Sequence, residues 1–314
     1  KLKENQIGAM IIESICTDNA VILENIQSVK YKNNPDYQEA SFTAAISDFE
    51  MRIKNYEKTY ETVDPCKHPD IPVVKLIDLG RRFEVYNNQR PTRHVSLLTH
   101  FIINHHPRPS RIYLCRHGES DFNLAGRIGG DGDLTERGLL FARKLYDFIT
   151  TATNETTPLS VWTSSFKRTK QTAMYFGDSH EWKALDEIDA GVCESLTYKE
   201  IERLYPKDFL ARDRDKFHYR YRGGGESYAD LVQRLEPIIM ELGRRSAPVL
   251  IIAHQAVLRV ILGYFQETKQ DQIPYIKVPL HAVIEVIPTA YECIINMHDL
   301  GVPGVDTHRD PRSS

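Results

Sequence analysis

"RIYLCRHGESDFN" (111–123) decides how the rest of the chain is read. Ile112 to Cys115 is an apolar run of strand length. It stops at Arg116-His117-Gly118, where a fixed cation, a titratable ring and a residue without a side chain stand together. Ligands in open α/β sheets bind beyond the C-terminal ends of strands, so a reactive cluster at a strand end reads as a site. A second stretch, "PVLIIAHQAV" (248–257), sets His254 just past another strand, and the two imidazoles are expected to share one crevice. A neutral imidazole nitrogen is a good nucleophile toward phosphorus, and with an ordinary pKa of about 6.5 much of it is neutral at physiological pH. Arg116 and Arg168 offer planar donor forks for phosphoryl oxygens, and Gly118 is expected to let the backbone approach them. Phosphoryl transfer asks a protein chiefly for positioning and charge neutralisation, plus an acid for the leaving oxygen. Each residue also has a duller use. A lone histidine after a strand is usually a satisfied polar group, and in "LDEIDAG" (185–191) Asp186 and Asp189 compete with Glu187 for the acid.

Outward from this stretch, strands and helices alternate in both directions, which favours an α/β architecture. Upstream, "AMIIESIC" (9–16) reads as a buried strand followed by a helix that Thr17 or Asp18 would cap. Phe42, Ala45, Ile46, Phe49, Ile53 and Tyr56 follow helical spacing, "VVKLIDLG" (73–80) is a strand stopped by glycine, and a helix runs roughly from 93 to 104. The two prolines of "HHPRPS" (105–110) remove backbone donors and disfavour helix, so a domain boundary is placed there. Downstream come a glycine-rich loop (126–133), a helix capped by Thr135, a strand near 159–162, a basic helix in "SSFKRTKQTAMYF", helices near 197–205 and 226–245, and two closing strands near 282–297. Residues 301–314 are expected to be a flexible tail.

Composition bounds the function. With 40 basic against 43 acidic residues, a net charge of −3 gives no general attraction to nucleic acid or anionic membrane, so an electropositive site must be local. "RDRDKFHYRYR" (212–222) interleaves basic and aromatic residues as nucleic-acid binders do, but its own acids and the overall charge favour a clamp for an anionic sugar. No apolar run approaches the roughly 18 to 20 residues of a membrane span, and no signal-peptide pattern opens the chain. Five scattered cysteines without CxxC spacing read as free thiols in a reducing compartment, so a cytoplasmic location is expected.

"RHGES", "SSFKRTKQTA", "LDEIDAG" and "AHQAV", in this order, resemble the histidine phosphatase (phosphoglycerate mutase-like) superfamily. "IYLCRHGESDFN", "GRIGGD", "EIDAGVCESLTYKEI", "RLEPIIMEL" and "HQAVLR" are similar to the bisphosphatase half of the bifunctional 6-phosphofructo-2-kinase/fructose-2,6-bisphosphatase family, while "IIESIC", "NIQSVK", "NPDY", "DFEMRIKNY" and "VVKLIDLGRRFEV" resemble the end of its kinase half. The resemblance implies a three-layer α/β/α histidine phosphatase domain at 107–300, preceded at 1–106 by part of a P-loop NTPase-like kinase domain. It implies His117 as the nucleophile that becomes phosphohistidine, Glu187 as proton donor and His254 as a second histidine steadying the transferring group. Arg116, Asn123 and Arg168 would grip the phosphate in transfer, and Gly129, Tyr198, Arg212, Lys216, Tyr228, Gln255 and Arg259 would hold the sugar bisphosphate, without a metal.

The same resemblance matches Cys16, Asn25, Lys30, Arg52, Tyr56 and Arg309 to positions used for ATP or fructose 6-phosphate. The chain opens on Lys1 and contains no GxxxxGK[ST] phosphate-cradling loop. It is therefore expected to be a partial sequence with no kinase activity of its own, whereas a full-length parent would need ATP and magnesium and would have the kinase half through which a homodimer forms. The expected reaction is hydrolysis of the 2-phosphate of fructose 2,6-bisphosphate. A mutase or a phosphatase of broader range is the alternative within the superfamily, and a non-catalytic sugar-phosphate sensor is the alternative outside it.

Overall fold

Ile112–Arg116 forms strand β4 and Val249–Ala253 forms strand β7; every residue of both is buried, as expected of central strands covered on both faces. The computed structural model describes residues 9–26, 42–78, 80–89, 92–104, 110–153, 158–288 and 293–309; the expectations at Lys30 and at the side chain of Asn25 lie outside this description. The chain divides into two compact units, Lys1–Pro107 and Arg108–Ser314.

In the first unit, β1 (Ile11–Ile15), β2 (Val73–Ile77) and β3 (Arg82–Tyr86) make a sheet in the order β1-β2-β3, parallel then antiparallel. Helices α1 (Asn19–Asn25), α2 (Phe42–Glu57) and α3 (Arg93–Asn104) accompany it. Asp18 caps α1 through Ala20 N at 2.9 Å. Strand β3 had no sequence signal of its own. It is produced by the hairpin at Asp78 and Gly80, whose φ values of 49° and 83° turn the chain back on β2. The apolar stripe of α2 is largely uncovered: of its six expected positions only Ala45 is buried.

The second unit holds α4 (Asp121–Leu124), α5 (Glu136–Thr153), β5 (Ser160–Thr163), α6 (Lys167–Thr172), β6 (His180–Glu181), α7 (Tyr198–Leu204), α8 (Pro206–Arg214), α9 (Tyr228–Arg244), α10 (Gln255–Phe265), β8 (Ala282–Pro288) and β9 (Cys293–Asp299). Its sheet runs β6-β5-β7-β4-β8-β9, with the first four strands parallel and β8 and β9 antiparallel. Alternation along β4 sends Ile112 and Leu114 into a core with Leu231, Leu235 and Ile238 of α9 and Val257 and Ile261 of α10. Tyr113 and Cys115 enter the opposite core with Phe141, Leu145 and Ile149 of α5. The result is the expected α/β/α sandwich.

Of the tail expected at 301–314, residues 301–309 are described, and these make specific hydrogen bonds to the rest of the unit. Residues 302–309 form a strap with no regular secondary structure, fixed by side chains of the sheet domain. His281 Nδ1 donates to the carbonyls of Val302 and Pro303 at 3.1 and 3.2 Å, and the fully buried Glu119 accepts from Val305 N at 3.0 Å. Low apolar content hid this segment, because hydrogen bonds rather than a hydrophobic stripe hold it.

Candidate active site

β4 and β7 are parallel neighbours with Arg116 opposite Ala253, and His117 N donates to Ala253 O at 3.0 Å. The residues following the two strands therefore emerge level, which is why the rings of His117 and His254 lie 5.2 Å apart. His117 Nδ1 sits 2.8 Å from Gly118 O. A carbonyl only accepts, so Nδ1 carries the proton and Nε2 keeps its lone pair. Burial, reinforced by the Arg168 and Arg116 charges, holds this imidazole well below 6.5, hence neutral at physiological pH.

His254 is held in the opposite tautomer. Arg168 Nη2 can only donate, so Nδ1 accepts from it at 3.0 Å and Nε2–H points to Ser164 Oγ at 2.8 Å. With both nitrogens spent and the ring fully buried, His254 backs Arg168 rather than lining the cavity, a position from which it steadies the site through that arginine. Burial and the neighbouring Arg168 keep it neutral as well. Arg168 is further fixed by Gly130 O, by Asp131 at 3.5 Å and over the Phe166 ring.

Gly118 has a packing use that its sequence setting did not announce. A Cβ there would lie 2.5 Å from Gly138 O, so its bare backbone serves close packing against the first turn of α5. Gly129 has φ of 65°, and a Cβ would overlap the Glu194 carboxylate. Glu194 accepts from Gly130 N at 2.6 Å and Ala190 N at 2.8 Å, shaping the loop beside Arg168.

A cavity of about 350 Å³ is lined by Arg116, His117, Asn123, Gly129, Arg168, Glu187, Tyr198, Arg212, Tyr228, Gln255 and Arg259, among others. Among the sequence-chosen residues of this unit, His254 and Lys216 are not in its wall. Lys216 Nζ instead donates to Pro274 O at 3.0 Å and lies over the Tyr275 ring; burial, with Arg212, Arg259 and Arg309 nearby, pushes its pKa down to about 6. The Asn123 amide oxygen is used in a capping box with Ser120, which leaves its NH2 to donate. Glu187 is the carboxylate of its loop that reaches the cavity: Asp186 is bound by Ser165, and Asp189 turns back on Gly191 N. Burial raises the Glu187 pKa against the opposing pull of Ile188 N, Arg168, Arg116 and Ala256 N.

Several buried side-chain donors lack a protein partner, Trp162 Nε1 and Trp182 Nε1 of the core among them, and three belong to residues that line this cavity: Arg116 Nε, Gln255 Nε2 and Arg309 Nη1. Buried donors are normally paired, so three unpaired ones gathered on the wall of one cavity suit acceptor oxygens bound there. Arg309 was expected on the nucleotide side; it is here, bonded to Asp213 at 2.8 Å and stacked on Tyr198 and Phe209. Asp306, Thr307 and His308 of the strap also line the cavity, and sequence reasoning missed them.

In the first unit, Cys16, Arg52 and Tyr56 are exposed. Arg52 pairs with Asp48 at 2.9 Å, and Asp78 is spent on Thr17 and on Asp18 N. No group of three or more metal-ligating side chains occurs among the described residues, and no helix there is long and apolar enough to cross a membrane.

Comparison with known proteins agrees with this geometry. A family model described as histidine phosphatase superfamily (branch 1) matches residues 112–299, and one described as 6-phosphofructo-2-kinase matches residues 1–109. The chain is 48% identical over 311 residues to human 6-phosphofructo-2-kinase/fructose-2,6-bisphosphatase 3, covering 98% of this chain and 58% of that protein. It is 47% identical over 310 residues to isoform 1 of Mus musculus, covering 98% and 64%. It thus spans about three-fifths of the curated relatives it matches. Among solved structures, the α-ribazole phosphatase of Shigella flexneri superposes with a TM-score of 0.54 at 21% identity, covering 62% of this chain and 99% of that one. A phosphoserine phosphatase mutant of Entamoeba histolytica gives 0.53 at 17%, covering 61% and 98%. At such identities these likenesses concern the fold alone.

Proposed function

The chain belongs to the histidine phosphatase superfamily, and from that premise we propose that it hydrolyses the 2-phosphate of fructose 2,6-bisphosphate through a phosphohistidine. The observation that carries the reading is the tautomer of His117: a neutral ring whose Nδ1–H is tied to Gly118 O, with the Nε2 lone pair left over in a cavity walled by Arg116, Arg168 and Glu187. Nε2 attacks phosphorus while Arg116, Arg168 and the Asn123 amide hold the non-bridging oxygens. The P–O bond to the sugar breaks, and the leaving oxygen takes the proton of Glu187, whose pKa burial raises above the ordinary carboxyl value. Glu187, now ionised, then accepts a proton from the water that attacks the phosphohistidine. Phosphate leaves, and His117 and protonated Glu187 are restored. His254 acts by fixing Arg168.

Fructose 2,6-bisphosphate is favoured over a monophosphate by the second group of cations, Arg212, Arg259 and Arg309, with Tyr198 and Tyr228 beside them. Both curated relatives carry fructose-2,6-bisphosphatase in their names. The reading is tested by incubating the chain with fructose 2,6-bisphosphate labelled at the 2-phosphate. Phosphate release and an acid-labile protein adduct are expected, and His117→Ala should lose both by at least about 10⁴-fold. Equal behaviour of wild type and variant would overturn the catalytic reading, and faster turnover of 2,3-bisphosphoglycerate would overturn the substrate.

A further inference from the structure

Of Arg116 and Arg168, the two arginines beside His117, Arg116 is the one whose side chain is bonded to the strap. Its Nη1 makes two hydrogen bonds, to Val278 O at 3.1 Å and to Thr307 Oγ1 at 2.7 Å. The Nη1 protons are thereby used, Nε has no partner, and none is formed by Nη2 among the described residues. A guanidinium pegged at one corner in this way presents its Nε–Nη2 edge, the edge whose parallel N–H bonds match two phosphoryl oxygens. A single peg at Val278 O would leave the plane free to swing about that bond. Two pegs from different segments fix it.

We propose that Thr307 is a positioning residue for phosphoryl transfer: its hydroxyl orients the Arg116 guanidinium, and the strap exists in part to deliver that hydroxyl. The anchors of the strap fit this role. Glu119, two residues beyond the nucleophile His117, receives Val305 N, and His281 joins Glu119 N at 2.9 Å to the carbonyls of Val302 and Pro303. The segment carrying Thr307 is therefore tied to the loop that carries His117 and is held in register with it. Glu119 is itself clamped by Thr135 Oγ1 and Arg137 Nε, each at 2.9 Å, so the register does not rest on one contact. The two residues after Thr307 bond elsewhere: His308 Nδ1 accepts from Arg259 Nη2 at 3.3 Å and Arg309 pairs with Asp213, while Asp306 before it acts on Arg116 through charge alone. A defect confined to the Thr307 hydroxyl should therefore touch the Arg116 end of the cavity and spare the sugar end.

The proposal rests on the phosphatase reading, and the experiment separates the two. Thr307→Val is isosteric and removes the hydroxyl, while Thr307→Ser returns it without the methyl. Three quantities are measured on the full chain: inhibition by inorganic phosphate, inhibition by fructose 6-phosphate, and the single-turnover rate of phosphohistidine formation from fructose 2,6-bisphosphate. Thr307→Val is expected to lose about tenfold in phosphate affinity and in single-turnover rate, with fructose 6-phosphate inhibition within about twofold of wild type. Thr307→Ser is expected to recover both losses to within about twofold. Unchanged phosphate affinity in Thr307→Val, equal losses in Val and Ser, or a fall in fructose 6-phosphate affinity that keeps pace with phosphate would each overturn the positioning role. If wild type formed no adduct from fructose 2,6-bisphosphate, the phosphatase reading would fall, while direct titration of phosphate against the three proteins would still decide whether Thr307 orients Arg116.

Discussion

Arg116 and Arg212 line the same cavity and are both buried, yet they spend their donors differently. Arg116 keeps Nε unpaired, whereas Arg212 has Nε on Tyr221 OH at 2.8 Å, Nη1 on Asp213 at 3.2 Å and Nη2 on Tyr198 OH at 3.2 Å. Arg259 follows Arg212, with bonds to Ile276 O, Tyr228 OH and His308 Nδ1. Arg116 is held ready for oxygens that arrive with substrate. Arg212 and Arg259 are locked into a scaffold that shapes the cavity and acts through charge. Preorganised, unspent donors are what a transition state repays, while a satisfied scaffold contributes to binding the ground and transition states alike.

Glu187 gives the sharpest test of this contrast after the nucleophile itself. Glu187→Gln keeps an acceptor for Ile188 N and Ala256 N but has no acidic proton to give, so phosphohistidine formation should slow by about 10²- to 10⁴-fold with little change in KM. The pH sign follows from the raised pKa. Below it the carboxyl is protonated and competent as acid, so the wild-type single-turnover rate falls as pH rises through it, and Glu187→Gln should be flat there. A wild-type rate that rises across that interval, or a Gln variant within tenfold of wild type, would remove Glu187 from the acid's role.

Arg212 should show the complementary pattern. Arg212→Ala strips Tyr198 and Tyr221 of a common partner and removes one charge, and is expected to raise KM for fructose 2,6-bisphosphate about 10- to 100-fold while kcat stays within about threefold. Steady-state kinetics decide it. A kcat loss exceeding the KM change would mean that Arg116 and Arg212 do not differ as their hydrogen bonds imply.

The parts of this site that sequence made legible are those where one residue type in one local setting suffices. The apolar run ending in Arg116-His117-Gly118 fixes a strand and a site together, and its twin before His254 gives the second imidazole, because parallel strands in register bring their ends level. What stayed hidden depends on long-range geometry. Nothing local says that His254 will turn both nitrogens to Ser164 and Arg168, or that Gly118 packs directly on Gly138. The strap was illegible for a further reason: "GVPGVDTHR" has the composition of a loose end, and its order comes from partners such as Glu119 and His281, which precede Val305 and Val302 by 186 and 21 residues. Strand β3 was missed likewise, since Arg82–Tyr86 becomes a strand only by pairing with β2.

Lys216 offers the smallest effect and the finest discrimination, because it sits behind the clamp cations rather than in the cavity wall. Its pKa near 6 means that between about pH 6 and its ordinary 10.5 the folded chain carries it neutral while the unfolded chain carries it charged. The unfolded state then binds the extra proton, so this group's contribution to stability is present at high pH and is lost as pH falls through that window. An anion held by Arg212, Arg259 and Arg309 offsets the repulsion that, with burial, keeps Lys216 neutral, and so raises its pKa in the complex. Fructose 6-phosphate binding between pH 6.5 and 8 should therefore take up protons, about one of which disappears in Lys216→Met, and affinity should weaken as pH rises across the same interval. Calorimetry in buffers of different ionisation enthalpy reads the proton count directly. Identical uptake by wild type and Lys216→Met would show that Lys216 does not feel the bound phosphate, and would confine the clamp to the three arginines.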